Sequence, residues 1–207
     1  MENFMIIIVL IALIYFVKNP IEKFISRKFL VSSIDNRKYG VVSSFKGGKQ
    51  AVDNIARLNC FLVEFMRQMR KKYIDDPRIG EEKQRLFTLN LLERYDPDVI
   101  KENKSSGPTD TSYVLAKGKS TVFCLRETKT GNNNLHKFDI LKFVALHELT
   151  HIGCNEFGHG PEFWSNFKMV LENAVSFGLY EPVDYGLYPV TYCGLDLNYN
   201  PLFDDSI

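Results

Sequence analysis

The sequence predicts a mixed α+β domain preceded by a single N-terminal transmembrane helix. Three observations support this fold class: an apolar run opens the chain, helical and strand-like patterns share its middle, and a His-rich helix follows them. The 207 residues suffice for one ordinary domain and an appendage. With 45% hydrophobic and 25% charged residues, the composition is that of a globular protein. The net charge of +1 gives no electrostatic support for binding nucleic acid, and none is expected.

The appendage is the run FMIIIVLIALIYFV at residues 4–17, which contains no charged side chain. As a helix it spans about 21 Å, less than a hydrocarbon core of about 30 Å, so a buried core helix is the alternative. However, the run is apolar on every side, starts at the extreme N-terminus and ends abruptly at Pro20. Because Glu2 precedes the run and no small-x-small site follows it, a cleaved signal fits poorly. We therefore predict a retained membrane anchor at residues 1–20.

Basic residues follow this run and none precedes it, which predicts a single-pass protein with its domain on the cytosolic side. Residues 21–50 are predicted to be a basic juxtamembrane segment and linker. An amphipathic stretch at the start of this segment either touches lipid headgroups or simply leads into the domain. The basic residues are Lys18, Lys23, Arg27 and Lys28.

The four cysteines are widely spaced and include no C-x-x-C pair. This spacing predicts neither a disulfide framework nor a four-thiolate zinc site, and it favours a reducing compartment. The prediction agrees with a cytosolic domain. By default, Cys154 and Cys193 are expected to pack in the interior.

Residues 51–207 are predicted to form the domain. Apolar residues at three- and four-residue steps indicate a long helix from about Ala51 to Tyr73. Two β-rich runs, SYVLA at 112–116 and STVFCLR at 120–126, predict a hairpin and thus a small antiparallel sheet. A second helix is predicted at about 81–95, with four residues facing inward: Leu86, Leu89, Leu92 and Tyr95.

The segment HELTHIGCNEFGHGPEFW, which starts at His147, contains three of the chain's four histidines. His147 and His151 are four residues apart in an apolar helix predicted from Asp139, so their imidazoles project from one face. That spacing lets both coordinate one tetrahedral zinc ion. Glu148 lies on the same rim, where it reaches a zinc-held water but is poorly placed as a ligand. The H-E-x-x-H pattern therefore assigns zinc to the histidines and the general base to Glu148.

A catalytic zinc site needs a third protein ligand and leaves a fourth position open for water. His159 follows a glycine-containing turn just before Pro161 opens another helix, and this bend can return it to the predicted zinc face. We therefore predict that His147, His151 and His159 hold the zinc ion. The strongest rival is Glu162 on the following helix. The other carboxylates that compete for this role are Glu156, Glu172 and Asp184.

The His-rich segment and two further segments resemble a known family. The His-rich segment is similar to zincin metallopeptidases of the WLM and SprT-like (Spartan) kind, in which an H-E-x-x-H helix precedes a loop, a third histidine and an aromatic residue. Together with VFCLRETKTG and YPVTYCGLDLNYNP, it resembles WLM-like metallopeptidases proposed in large nucleocytoplasmic DNA viruses, several of which carry an N-terminal membrane span. The resemblance covers about residues 110–202. It implies a zincin-like domain and a virus-encoded, membrane-anchored hydrolase that acts on a protein or peptide.

The sequence also departs from related zincins. The metzincin pattern requires glycine at position 154 and histidine at position 157, where Cys154 and Phe157 stand. SprT-like proteins usually have a longer spacing than the seven residues between His151 and His159. No DNA-binding element accompanies the motif, so a DNA–protein crosslink substrate is not carried over.

The implied reaction is peptide hydrolysis by a zinc-bound water, with Glu148 as general base. His136 is expected in a polar loop, where it is a weak candidate for a fourth ligand. The main alternative is a membrane-anchored structural or virion protein with a non-catalytic zinc site, and a non-peptidase zinc hydrolase is a third possibility. The oligomeric state stays open. Nothing in the spacing selects an oxyanion-stabilising residue among four candidates: Tyr180, Tyr185, Tyr188 and Tyr192.

Overall fold

The computed structural model describes residues 27–76, 78, 80–103, 111–127 and 134–207. The predicted anchor at 1–20 and the first part of the segment at 21–50 lie outside these residues. Within the described ranges, no helix is long and apolar enough to cross a membrane. The domain predicted at 51–207 lies almost wholly within them.

Groups of short strands and pairs of helices follow one another along the described chain, which is the mixed α+β composition that the sequence predicts. The strands are β1 (Arg27–Val31), β2 (Lys38–Val42), β3 (Ile100–Glu102), β4 (Tyr113–Leu115), β5 (Ser120–Phe123), β6 (Arg126–Glu127), β7 (Asn134–Leu135), β8 (Val190–Tyr192) and β9 (Leu195–Leu197). The helices are α1 (Gly48–Tyr73), α2 (Glu82–Arg94), α3 (Phe138–Gly153) and α4 (Pro161–Ser176), with 3₁₀ turns at Pro97–Val99, Ala116–Gly118 and Pro201–Phe203.

The main sheet has five strands in the order β1-β2-β3-β5-β4 and is mixed, which corrects the prediction of a small antiparallel sheet. β1–β2 and β5–β4 are antiparallel, whereas β2–β3 and β3–β5 are parallel. The parallel pairing of β2 with β3 follows from the long connection through α1 and α2, which lets the chain re-enter the sheet in the same direction. The predicted hairpin is confirmed as β4 and β5.

Part of the segment predicted at 21–50 as juxtamembrane segment and linker is instead an integral part of the domain. β1 and β2 form an antiparallel hairpin, and the turn between them is closed by the Ser32 N–H donating to the Arg37 carbonyl. Tyr39 and Val41 of β2 are fully buried in the main core. Each strand has only five residues, and together they carry two lysines, an arginine and a glycine, so their alternation is too short and too interrupted to be recognised from sequence.

α1 confirms the long predicted helix. It starts at Gly48, directly after Gly47 in a left-handed conformation with φ 68°. Its apolar face is buried against the inner face of the sheet, because it shares one core with residues of β2, β3 and β5. The buried residues of this face include Ile55, Leu58, Leu62, Phe65 and Met69.

α2 forms where predicted, but the face assigned to it is wrong. Its buried residues are Phe87, Thr88 and Leu91. A Cβ atom at Gly153 would lie 2.4 Å from the Phe87 ring, so α2 packs directly on the end of α3. Leucines occur on both faces of α2, and periodicity alone cannot tell which face packs. The three leucines of the predicted stripe, Leu86, Leu89 and Leu92, are exposed, and Tyr95 is partly buried.

α3 and α4 confirm the predicted helix that carries H-E-x-x-H and its companion. α3 begins at Phe138, one residue before the predicted cap, and α4 begins at Pro161 as expected. Ten of the sixteen residues of α3 are buried, which explains why most of its residues are apolar. The loop between these helices carries His159, and the packing of α4 on α3 determines where that loop can place it.

Candidate metal centre

The three predicted histidine ligands meet at one point. The Nε2 atoms of His147 and His151 are 3.2 Å apart, those of His151 and His159 are 3.2 Å apart, and those of His147 and His159 are 3.0 Å apart. The first two residues project from successive turns of α3, and the third comes from the following loop. The structure therefore brings together all three residues that the sequence singled out.

This triangle fits a zinc ion. Zinc–nitrogen bonds of about 2.0–2.1 Å in a tetrahedron place neighbouring nitrogen atoms about 3.3 Å apart. The observed separations of 3.0–3.2 Å are close to one face of that tetrahedron. Among the described residues, the group of His147, His151 and His159 contains no additional cysteine, aspartate or glutamate ligand. The donor set therefore matches a three-histidine site with one open position.

Burial favours the neutral form of the three histidine side chains. It lowers the pKa of His151 to about 4, lowers that of His147 well below its usual value, and also lowers that of His159. For His147 and His151, the neighbouring imidazoles act in the same direction. All three rings are therefore neutral near pH 7, which is the form that binds metal ions.

Glu162 positions the loop and does not reach the histidine cluster. One of its carboxylate oxygens accepts the Asn155 N–H at 3.0 Å, and the other accepts the Glu156 N–H at 2.9 Å. Gly158, with φ 82°, then reverses the chain ahead of His159. The strongest rival ligand is thus an anchor for the segment that delivers the third histidine. None of the rival carboxylates lies within the histidine cluster.

Side chains from α2 also hold this loop, a contribution that the sequence did not reveal. The Asn90 amide donates to the Gly153 carbonyl at 3.0 Å. The Arg94 guanidinium donates to the Ile152 and Cys154 carbonyls, each at 3.1 Å. These bonds satisfy carbonyl groups at the end of α3, where helices leave them without partners. Only the tertiary placement of α2 makes the two residues relevant to the site.

An aromatic platform lies beneath the imidazoles. The ring of Phe163 is stacked on His151 with centroids 4.4 Å apart, and its centroid lies 4.8 Å from that of His147 and 4.7 Å from that of His159. Trp164 lies beside it, 5.8 Å from His159. These are the two aromatic residues on which the family resemblance partly rests. Phe163 is buried, so it restricts the rotamers of all three histidines.

Glu148 lies beside the three histidines in an unusually buried environment for a carboxyl group. It is 4% exposed, and its Oε2 atom has no hydrogen-bond partner among the described residues. Burial raises the pKa of Glu148 to about 8. An unpaired buried carboxylate is unfavourable for folding, and strongly shifted carboxyl groups in clefts are typical of functional sites.

A cleft of about 440 Å³ opens onto this centre. Its lining is mainly apolar, and it includes Glu148 and all three histidines. Lys117 and the highly exposed Phe157 also line it, with the lysine nitrogen 4.3 Å from the centre of the phenylalanine ring. The remaining lining residues come from α3, from the loop that follows it, from β4 and the residues before it, and from the β8–β9 hairpin: Thr111, Ser112, Tyr113, Val114, Phe143, Val144, Gly158, Tyr192, Leu195 and Leu197.

Of the four tyrosines considered as oxyanion donors, only Tyr192 lines this cleft. Its hydroxyl donates to the Cys124 carbonyl at 2.7 Å and lies 2.6 Å from Ser112 Oγ. Tyr192 is therefore already committed to holding the hairpin in place. Tyr180 and Tyr185 pack against Phe143. Tyr188 is exposed, away from the cleft lining.

The cysteine prediction is wrong in one respect. Cys124 and Cys193 form a disulfide, although 69 residues separate them. Such a pair cannot be recognised from spacing, because only the fold brings the two residues together. Cys154 is buried and free, as expected. His136 is half-buried beside Cys193 and not in a solvated loop, and it is absent from the group of three histidines.

The chain is similar to uncharacterized proteins of viruses. It is 28% identical to an uncharacterized protein of Acanthamoeba polyphaga mimivirus over 197 residues, which are 93% of this chain and 92% of the relative. It is 30% identical over 122 residues to an uncharacterized protein of Invertebrate iridescent virus 6, covering 58% of this chain and 65% of that protein. A protein of Invertebrate iridescent virus 3 is 34% identical over 71 residues, 34% of this chain and 43% of the relative. No protein-family model and no solved structure matches the chain.

Proposed function

We propose that this chain is a zinc-dependent metallopeptidase encoded by a virus, with His147, His151 and His159 as zinc ligands. One observation carries the proposal: a triangle of three neutral imidazoles adjoins a buried glutamate whose Oε2 atom has no hydrogen-bond partner among the described residues, and both open into one apolar cleft. The chemistry supplied by a bound zinc ion is Lewis acidity, which lowers the pKa of a water molecule and polarises a carbonyl group.

The residues of the chain have separable roles in this proposal. Glu148 accepts the proton of the attacking water and passes it to the departing amine. Burial raises the pKa of Glu148 toward the operating pH, so the group can both accept and release a proton, and the charge of a bound zinc ion would favour its ionised form. The apolar lining of the cleft holds an apolar part of a protein or peptide substrate and excludes bulk water.

The alternative function is a structural or virion protein with a non-catalytic zinc site. Structural zinc sites usually have four protein ligands. In the described part of the chain the histidine group has three, and the cleft lies over them. A structural role also gives no physical reason for a buried, unpaired carboxylate at position 148. Both features favour the hydrolase, and they apply equally to a zinc hydrolase that cleaves another bond.

The test is the substitution Glu148→Gln in the full chain. The amide keeps the volume of the side chain but cannot accept the proton of water. We expect one zinc ion per chain by elemental analysis, a folded protein, and hydrolysis of a broad peptide library or an unfolded protein that is slower by at least about 10²-fold. The companion substitution His159→Ala should lose the zinc ion.

The matched control is Glu172→Gln, the same chemical change at an exposed position of α4 outside the cleft lining. It should retain both zinc and activity. A parent protein that binds zinc but cleaves no member of the library would contradict the peptidase and favour the structural alternative. Full retention of zinc by His159→Ala would contradict the proposed ligand set.

We also propose, as the sequence predicts, that residues 1–20 anchor the chain in a membrane. Two observations disagree about the side on which the domain lies. The basic residues after the apolar run favour the cytosol, whereas the disulfide favours an oxidising compartment. Carbonate extraction tests the anchor, since an anchored chain stays in the pellet. Protease treatment of sealed microsomes tests the side, since a cytosolic domain is digested.

A further inference from the structure

A second cluster of reactive side chains lies beside the cleft and has no role in the proposed hydrolysis. It consists of the Cys124–Cys193 disulfide and His136, whose Nε2 atom is 3.3 Å from Cys193 Sγ. The His136 ring also packs on Tyr192, with centroids 4.8 Å apart. Both sulfur atoms belong to buried residues.

This cluster holds the β8–β9 hairpin to the rest of the domain. The hairpin turns at Cys193 and Gly194, whose φ values of 49° and 75° correspond to a type I′ turn. Between Val190 and Leu197, only Tyr192 and Cys193 are buried. An isolated two-stranded hairpin is marginally stable in water, so these two anchors largely determine where it lies.

The hairpin is also a wall of the cleft. Tyr192, Leu195 and Leu197 line it together with Glu148 and the histidines. The disulfide therefore connects this wall to Cys124, the residue directly after β5. Cys193 is directly next to Tyr192 and two residues from Leu195, and both of these residues line the cleft.

We propose that the Cys124–Cys193 disulfide is a reducible latch that fixes the cleft wall and that its reduction by a thiol opens the wall. As a regulator of the same site, the latch rests on the proposed function. The first thiolate attacks Cys124 Sγ, forms a mixed disulfide and releases Cys193 as a thiolate, which takes up a proton. A second thiolate attacks the mixed disulfide, so that two thiols are oxidised to one disulfide and both cysteines become thiols.

The surroundings suit both redox states. After reduction, the Cys124 thiol can donate to the Arg126 carbonyl, 3.4 Å away, and the Cys193 thiol can donate to His136. Burial lowers the pKa of His136, so its imidazole is neutral and can accept this bond. Because both sulfur atoms are buried, attack requires transient opening of the hairpin, which its exposed residues Thr191, Leu195 and Asp196 permit.

The test compares the full chain in detergent micelles, oxidised and after a phosphine reductant, with the double variant Cys124→Ser/Cys193→Ser. Thiol titration should find two thiols in the oxidised protein, Cys60 and Cys154, and four after reduction. Amide hydrogen exchange in residues 190–197 should be at least about tenfold faster in the reduced protein and in the variant, with α1 unchanged. Cys60→Ser, which removes an exposed cysteine, should show the same hydrogen exchange as the parent in both states, with one titratable thiol fewer in each.

Hydrogen exchange distinguishes the latch from the peptidase. If the chain is a peptidase, reduction should also raise KM for peptide hydrolysis by about tenfold with little change in kcat. The reason is that the β8–β9 hairpin contributes to substrate binding, whereas Glu148 is unchanged. If no peptide is cleaved but exchange still accelerates, the peptidase fails and the latch stands. Equal exchange in both states overturns the latch. A second zinc ion per chain after reduction, lost in the double variant, also overturns it by making the cluster a metal site.

Discussion

Two buried glutamates in this protein have opposite surroundings. Glu102 in β3 is 1% exposed, and both its oxygens are satisfied: Arg126 Nε donates to one at 2.7 Å, and the Val42 N–H donates to the other at 2.8 Å. Arg126 also donates to the Gly47 carbonyl ahead of α1. Glu148 in α3 is 4% exposed, and one of its oxygens has no hydrogen-bond partner within the described chain.

The difference separates a structural use of the glutamate side chain from the catalytic use that we propose. Glu102 is a junction that ties β2, β3 and the start of α1 together, and its charge is compensated in place. Glu148 is held without compensation, which is unfavourable for folding but leaves an acceptor free for a proton. A buried carboxyl group with one oxygen left without a partner among the described residues therefore marks a candidate site more clearly than burial alone does.

The largest expected effect on stability comes from substitution of Glu102, the glutamate with a structural role. Glu102→Gln leaves the Arg126 charge buried and uncompensated, and we expect the free energy of unfolding to fall by about 3–5 kcal/mol. Chemical denaturation measures this change. The exposed substitution Glu64→Gln serves as the control, because Glu64 pairs with Arg67 at the surface and should leave the midpoint almost unchanged. A stability loss as small as that of the control would mean that the buried pair does not hold the sheet and α1 together.

The second prediction concerns Glu148, the proposed catalytic glutamate. Here the substitution is expected to raise the free energy of unfolding instead of lowering it. In the metal-free protein, Glu148 has a pKa of about 8, above its ordinary value of 4.5. The folded state therefore keeps its proton where the unfolded state has lost it, so stability falls as pH rises from about 4.5 to about 8. In Glu148→Gln this fall in stability is absent, because the amide does not titrate. Relative to the parent, we expect the variant to gain on the order of 2–4 kcal/mol between pH 5 and pH 8.5.

Thermal denaturation at several pH values, in the presence of a chelator, measures this difference. Any fixed effect of the buried amide is the same at each pH, and groups that titrate equally in both proteins cancel. A stability difference between variant and parent that stays constant with pH would show that Glu148 is not buried as an isolated carboxyl group.

The smallest expected effect concerns a polar group in the cleft that is fully paired. Tyr192→Phe removes the hydroxyl that donates to the Cys124 carbonyl, and we expect it to lower the free energy of unfolding by about 0.5–1.5 kcal/mol. Peptide hydrolysis should change less than about tenfold, far less than for Glu148→Gln. Equal losses of activity in the two variants would instead assign Tyr192 to the chemistry, as an oxyanion donor.

The sequence by itself determined the features that depend on local repeats. His147 and His151 share a face because a helix repeats every 3.6 residues, and an apolar helix around them had to be buried. The β4–β5 hairpin and the long α1 helix follow from equally local patterns. The choice of His159 as third ligand also depended on a short loop, which limits how far the chain can travel between two helices.

Only the tertiary structure decided the features that join distant parts of the chain. The Cys124–Cys193 disulfide, the buried pair of Glu102 with Arg126, and the parallel pairing of β2 with β3 have no local signature. The same holds for the face on which α2 packs, since apolar residues occur on both of its sides and the contact of Phe87 with Gly153 selects one. Local periodicity indicates which face of an element is apolar. The packing of whole elements against one another determines which residues come into contact.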